Sequence, residues 1–136
     1  MNEFKLNFRL LEDSTFVTKL NVSQVRLNHD ARFPWLILIP EIAGLKELHN
    51  IPDEKQAIVQ KEVNFCSAAL QELTSADKMN VAALGNLVPQ LHIHVIARKH
   101  NDNAWPQPVW SAGEGKPYGE EDLAELVNKL RQRLSN

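Results

Sequence analysis

Residues 90–98 read QLHIHVIAR, a run in which polar and apolar side chains alternate. Successive side chains of a β-strand point to opposite faces of a sheet. We therefore expect a strand in which Gln90, His92 and His94 share one face while the apolar residues beside them face the core. Neighbouring members of the polar row should lie about 6.5–7 Å apart, which places two imidazoles on either side of one phosphate group.

This polar row has the composition of a phosphoryl-transfer site. A neutral histidine in the row can attack phosphorus and form a covalent intermediate. A second histidine can donate a hydrogen bond to a non-bridging oxygen. The turn at Gly85 and Asn86 offers backbone N–H groups for a further phosphate oxygen.

Two other interpretations of the row stay open on spacing alone. The two histidines can simply lie on a polar sheet face. His-x-His is also metal-ligand spacing, although a metal site needs a third ligand. That ligand would be a carboxylate or one of the three remaining histidines, His29, His49 and His100.

Further strands are expected before this run. The apolar stretch at 35–40 is typical of a central strand buried on both faces, and Pro40 ends it. Alternation predicts strands at 15–20 and 23–28. Another strand at 80–84 stops at the glycine turn.

Two helices complete the predicted elements. The first begins near Asp53, which forms an apparent capping box with Gln56, and its apolar residues recur at helical spacing. These residues are Val59, Val63, Cys66, Leu70 and Leu73. The second covers 120–134, with an acidic first turn and a basic last turn that match the helix dipole. Strands followed by a helix and then by more strands predict an α+β domain.

The whole chain has the size and composition of one globular domain. It has 136 residues, 43% hydrophobic and 24% charged, with a net charge of −2. Without a basic surplus, binding to a nucleic acid polymer is not expected. The single cysteine, Cys66, favours a reducing compartment and a core-filling role. The N-terminus has no signal-peptide pattern and no apolar stretch approaches about 20 residues, so we expect a cytoplasmic protein without a membrane partner.

The segment 99–117 is long for a structureless connection, and such loops are often functional. Its tryptophans, Trp105 and Trp110, either cover the site and stack on a base or hold the loop in place. Arg98 and Lys99 either attract phosphate or form a solvated strand end.

Residues 90–98 resemble the signature of the histidine triad (HIT) family of nucleotide hydrolases and transferases, which is His-x-His-x-His followed by two apolar residues. The resemblance covers roughly residues 15–110 and is close to bacterial members of the family. It places His92 on the family's nucleophile and implies that its other ring nitrogen donates to a backbone carbonyl, which fixes the tautomer. It places His94, which would hold the phosphate, on the family's last histidine and Gln90 at the first triad position. It also implies a set of nucleotide-binding residues, namely Asn28 near the ribose and Asn80, Gly85, Asn86, Val88 and Pro89 before the triad.

Two positions depart from the family pattern. Gln90 replaces the first histidine, but glutamine retains both a donor and an acceptor. Trp35 stands where the family's strand usually opens with a histidine. One hypothesis is that Trp35 and Gln90 are neighbours that changed together.

The resemblance implies a HIT-like fold over residues 1–136: a largely antiparallel five-stranded sheet with a long helix packed on it and a C-terminal helix. It implies a homodimer that joins two sheets and a reaction without metal or other cofactor. The expected substrate is a nucleotide phosphoramidate or dinucleoside polyphosphate, attacked at the α-phosphate through a nucleotidyl-histidine. The alternatives are a nucleotide-binding module without turnover and a His-x-His metal enzyme.

Overall fold

Five strands form one antiparallel sheet in the computed structural model, which describes residues 3–135. The elements in chain order are α1 (Phe8–Glu12), β1 (Ser14–Lys19), β2 (Ser23–Asn28), β3 (Trp35–Pro40), α2 (Asp53–Thr74), β4 (Lys78–Ala82), β5 (Ile93–Arg98) and α3 (Glu120–Leu134). The strand order β1-β2-β3-β5-β4 leaves β1 and β4 at the edges. The predicted α+β class and the antiparallel sheet are confirmed. Within residues 3–135, no helix is both long enough and apolar enough to cross a membrane.

One face of the sheet packs against α2 and α3. Leu36 and Val95 from the central strands are fully buried there, together with Cys66 and Leu70 of α2 and Leu130 of α3. Burying a large apolar side chain stabilises the fold by about 1.5–3 kcal/mol. Cys66 is 0% exposed, so the core-filling interpretation of this cysteine is confirmed, and burial raises the pKa of its thiol to about 12.

The opposite face of the sheet is covered by shorter segments. Trp35, Ile37 and Ile96 form its centre, and Leu10 of α1 and Val109 of the 99–117 loop pack on them. The strand β3 is therefore buried on both faces, as its continuous apolar run predicts.

Some boundaries differ from the sequence-based predictions. The strand β5 begins at Ile93 rather than at residue 90, and β4 spans Lys78–Ala82 rather than 80–84. The helix α2 begins at Asp53 as predicted, but the capping box is wrong. The N-cap residue is Pro52, and the Gln56 side chain donates to the carbonyl of Ile51 at 3.0 Å. Because Asp53 already lies in the first turn, its charge complements the helix dipole instead.

Arg98 holds the 99–117 loop against the sheet. Its guanidinium, 1% exposed, donates to both carboxylate oxygens of Asp102 at 2.7 and 3.1 Å, to Asn80 Oδ1 at 2.8 Å and to the Gln107 carbonyl at 2.8 Å. It also lies 5.4 Å from the ring centroid of Trp105. Both predictions for Arg98, a phosphate contact and a solvated strand end, are therefore wrong.

Candidate functional site

His92 lies just before β5 and is 5% exposed. Its Nδ1 is 2.7 Å from the carbonyl oxygen of Gln90. A carbonyl only accepts hydrogen bonds, so a neutral His92 has its proton on Nδ1 and a lone pair on Nε2. The predicted bond to a backbone carbonyl is confirmed, and it leaves the lone pair of Nε2 free of this bond.

A cavity of about 520 Å³ lies beside His92, between the segment 46–49 and the loop 83–92. Four of the predicted nucleotide-binding residues line it: Gly85, Asn86, Val88 and Pro89. In the described part of the chain, the backbone N–H groups of residues 86–88 have no protein acceptor. Such free donors, close together in a loop, suit the oxygens of an anion.

Gly85 lies directly against the imidazole of His92. A Cβ on Gly85 would come within 2.8 Å of His92 Cε1 and 2.7 Å of the Val88 carbonyl oxygen. Real Cβ atoms do not approach other atoms so closely, so the loop requires glycine here for steric reasons. The backbone at Gly85 thereby fixes one side of the His92 ring.

If His92 is the nucleophile that the sequence predicts, Gly85→Ala should lower kcat by roughly 100-fold, because the added methyl group displaces the His92 ring. The assay is nucleotide hydrolysis at saturating substrate. The matched control is Gly119→Ala, where the new Cβ meets no atom within 4 Å. Equal kcat in the two variants would contradict the close-contact argument.

Both ring nitrogens of His94 are engaged within the protein. Trp35 Nε1 donates to Nδ1 at 2.9 Å, and Nε2 lies 2.9 Å from the Leu84 carbonyl oxygen. The His92 and His94 ring centroids are 4.9 Å apart in an edge-to-face contact. The two rings contact each other directly, so the predicted position of a phosphate between them is wrong. In this arrangement His94 has no free nitrogen for the predicted phosphate contact.

The surroundings of His94 disfavour its charged form. Burial lowers the pKa of His94 to about 4, with His92 adding to the effect and the Leu84 carbonyl opposing it. The ordinary value is 6.5. His94 is therefore a neutral side chain at physiological pH.

This lowered pKa predicts an acid-sensitive fold. Between pH 6.5 and about pH 4 the unfolded chain binds a proton at His94 that the folded protein excludes. Neutral His94 therefore contributes fully to the free energy of unfolding above pH 6.5. As the pH is lowered through the window, the free energy of unfolding decreases by at most about 1.4 kcal/mol per pH unit. Urea titrations across the window measure the slope. We expect His94→Gln to reduce it and the exposed-site control His100→Gln to leave it unchanged; the reverse would contradict the prediction.

The side-chain amide of Gln90 bonds to the N-terminal segment rather than to either histidine. Its Oε1 accepts from the backbone N–H of Asn7 and its Nε2 donates to the carbonyl of Lys5, both at 2.8 Å. The predicted shared face therefore does not extend to Gln90, because the strand has not yet begun at that residue. Trp35 and Gln90 bind different partners, which removes the physical reason for coupling them.

Asn28 and Asn80 lie outside the cavity. Asn28 ends β2, two strands away from β5. Asn80 lies on β4, where its Oδ1 accepts from Arg98. The structure thus places Asn80 among the groups that hold the 99–117 loop.

Trp110 packs against His94 and Trp35. Its ring centroid lies 5.0 Å from that of His94 and 5.5 Å from that of Trp35, both edge-on, and the residue is 41% exposed. Trp105 packs beside Arg98 in the loop, and a covering role for Trp110 stays a prediction. Two contributors were missed: the Leu84 carbonyl and the segment 46–49. A backbone carbonyl and a loop wall leave no signal in a single sequence.

The other histidines do not converge on the polar row. His29 Nε2 is 2.7 Å from Thr15 Oγ1, His49 lines the cavity wall, and His100 Nδ1 is 3.7 Å from Asp77. Among residues 3–135, no group of three or more histidine, cysteine, aspartate or glutamate side chains is placed to hold a metal ion.

Comparisons with known proteins agree on one family. The HIT domain family model matches residues 10–101. A histidine triad protein from Sinorhizobium meliloti 1021 is 41% identical, with a TM-score of 0.93 over 96% of this chain and 97% of that one. One from Bradyrhizobium japonicum is 38% identical, with a TM-score of 0.95 over 98% and 100%. One from Marinobacter aquaeolei VT8 is 41% identical, with a TM-score of 0.95 over 98% and 97%. No curated protein sequence matches the chain.

Proposed function

Because this chain belongs to the histidine triad (HIT) family, whose members bind nucleotides, we propose that it is a hydrolase or transferase acting on the α-phosphate of a nucleotide derivative. The expected substrates are nucleotide phosphoramidates and dinucleoside polyphosphates. The observation that carries the proposal is the hydrogen bond from His92 Nδ1 to the Gln90 carbonyl, beside a cavity of about 520 Å³. It prepares a neutral imidazole with its lone pair on Nε2.

The reaction proceeds in two displacements at phosphorus. His92 Nε2 attacks the α-phosphorus, a P–N bond forms, and the bond to the amine or phosphate leaving group breaks with its electron pair. The leaving group takes its proton from water. In the second step water attacks the same phosphorus, Nε2 departs, and a nucleoside monophosphate and one proton are released. An alcohol or a second phosphate in place of water would give the transferase reaction.

The loop 83–92 supplies the binding groups in this proposal. The free N–H groups of residues 86–88 hold the non-bridging oxygens, whose negative charge increases as the leaving group departs. Gly85 allows the backbone to approach His92 closely. Positioning of this kind accelerates a phosphoryl transfer because the attacking and leaving groups must be in line.

Hydrolysis of an adenosine phosphoramidate in the presence of a chelator tests the proposal. We expect release of adenosine monophosphate that the chelator does not reduce, because His92 rather than a metal-bound water attacks. Activity lost on chelation and restored by zinc would instead favour the metal enzyme. No turnover of this substrate or of a dinucleoside polyphosphate would overturn the proposal.

A nucleotide-binding module without turnover is the second candidate. It is favoured by the hydrogen bonds that occupy the polar atoms of Gln90 and His94, since neither side chain is free to contact a substrate. Titration calorimetry with adenosine monophosphate measures binding. Tight binding without product from the phosphoramidate would favour this candidate.

We also propose a homodimer that joins two sheets at β4. This strand lies at an edge of the sheet, and its residue Val81 is 51% exposed. Leu87, in the loop that follows β4, is 83% exposed. An unpaired edge with apolar side chains is suited to pair with a second copy. The cytoplasmic location and the single domain over residues 1–136 stay predictions.

A further inference from the structure

We infer that Trp35 is a positioning residue: it locks His94 in one neutral tautomer, and His94 supports the loop that contains Gly85 instead of binding the phosphate. The consequence for turnover rests on the proposed function. The tautomer itself does not depend on it.

The tautomer follows from the chemistry of the two partners of His94. An indole N–H only donates, so His94 Nδ1, 2.9 Å from Trp35 Nε1, must be the unprotonated acceptor. A carbonyl only accepts, so His94 Nε2, 2.9 Å from the Leu84 oxygen, must have the proton. A neutral imidazole has one donor and one acceptor, and here each has its partner.

Because residue 35 is a tryptophan, the hydrogen bond between residues 35 and 94 can have only one donor, the indole N–H. A histidine at that position could donate or accept, so the Leu84 carbonyl alone would then select the tautomer of His94. The indole of Trp35 permits one tautomer. It is also rigid and 7% exposed, held edge-on to His94 at 5.5 Å between ring centroids.

The hydrogen bond to Leu84 links His94 to the attacking residue. Leu84 directly precedes Gly85, whose backbone packs so closely on His92 that a Cβ there would come within 2.8 Å of Cε1. A shift of the Leu84 carbonyl therefore moves the surface against which His92 rests. Displacements of about 1 Å at a reacting atom are enough to lower a rate by 100-fold.

The rings that contact His94 add no fixed charge. Trp35 and Trp110 contact it edge-on and are uncharged, and His92 is a titratable neighbour with its ring centroid 4.9 Å away. Among residues 3–135, the charge that acts on the titration of His94 is that of His92, so a neutral His92 leaves the tautomer to the two hydrogen bonds.

Nitrogen-15 NMR of the imidazole rings tests the tautomer directly. Near pH 7 we expect His94 Nδ1 at the shift of an unprotonated nitrogen and Nε2 at that of an N–H, in free protein and with adenosine monophosphate. A protonated Nδ1 in the free protein would overturn the inference. So would a His94 Nε2 that leaves Leu84 for the phosphate when the nucleotide binds.

Trp35→Phe removes the donor and retains an aromatic ring. The Leu84 carbonyl is then the remaining group that selects the tautomer, so we expect a detectable fraction of His94 protonated on Nδ1 and a higher titration midpoint. We also expect a 10- to 100-fold lower kcat with little change in KM. Trp35→His restores a donor and should recover part of the tautomer preference. The matched control Trp110→Phe alters another ring that contacts His94 but removes neither hydrogen bond, so the tautomer should stay fixed. An unchanged tautomer in Trp35→Phe would contradict the inference.

The two proposals fail in distinguishable ways. If the parent protein turns over no substrate but His94 has the expected tautomer, the proposed function fails and the role of Trp35 stands. If the parent is active and His94 has the opposite tautomer, the proposed function stands and the role of Trp35 fails.

Discussion

Replacing His92 with asparagine should lower kcat by about 10⁴-fold or more. Asparagine can still donate to the Gln90 carbonyl through its amide nitrogen, so the local hydrogen bond can persist. It offers no lone pair comparable to imidazole Nε2, so the P–N bond cannot form. Single-turnover hydrolysis of an adenosine phosphoramidate measures the loss.

Two further results separate a lost nucleophile from a lost fold. The control His100→Asn changes a histidine whose side chain is 69% exposed and lies outside the cavity, and it should keep the parent rate. Rapid acid quenching followed by mass analysis should detect a nucleotidyl adduct in the parent and none in His92→Asn. A variant within tenfold of the parent, or one that still forms the adduct, would rule out His92 as the attacking residue.

Arg98→Met should reduce the free energy of unfolding by about 3–5 kcal/mol. The substitution retains an apolar stem but removes the guanidinium bonds to Asp102, Asn80 and Gln107. It leaves the carboxylate of Asp102, 7% exposed, without its cation. Removing one partner of a buried ion pair costs more than the pair contributes, because the remaining charge is desolvated. Urea unfolding followed by tryptophan fluorescence measures the change.

The control for Arg98 is Arg133→Met. Arg133 forms an ion pair with Glu72 at 2.6 Å, but the two side chains are 36% and 74% exposed. Pairs at the surface contribute about 0–1 kcal/mol, so this variant should be nearly neutral. Similar losses in the two variants would show that burial of Arg98 is not what makes it important.

The ion pair between Arg98 and Asp102 also affects the pKa of the Asp102 carboxyl group. Burial alone would raise it, but hydrogen bonds from Arg98 and from the backbone of Ala104, Lys99 and Trp105 outweigh burial and lower it to about 2. The charged carboxylate is thus the form that the fold requires. Arg98→Met/Asp102→Asn should recover part of the stability that Arg98→Met loses, since no unpaired charge then remains.

The predictable part of the molecule is the part in which side-chain periodicity coincides with burial. The apolar run at 35–40 and the helical spacing from Val59 to Leu70 reflect contacts with the core, so β3 and α2 were expected from the sequence. The alternation at 90–98 predicted the buried apolar residues correctly but not the start of the strand. It placed Leu91 and Val95 in the core, yet the strand begins only at Ile93.

The candidate site was less predictable because its geometry depends on partners distant in sequence. The amide of Gln90 bonds to Lys5 and Asn7, more than 80 residues away, and no periodic pattern records such a contact. Arg98 looked like a strand end near solvent, and only the return of the loop at Asp102 buries it. The role of Trp35 required knowing that its N–H faces a particular nitrogen of His94.

The position of β5 in the sheet has a consequence for folding. The strands β1, β2 and β3 pair in chain order, whereas β5 lies between β3 and β4 and pairs with both. Joining β3 to β5 closes a long stretch of chain, a step with a higher entropic cost than forming the first meander. A nascent polypeptide that ends before residue 98 therefore lacks the strand that unites the sheet, and it lacks the completed site as well. Pairing of β5 thus completes the sheet and the candidate site in the same step.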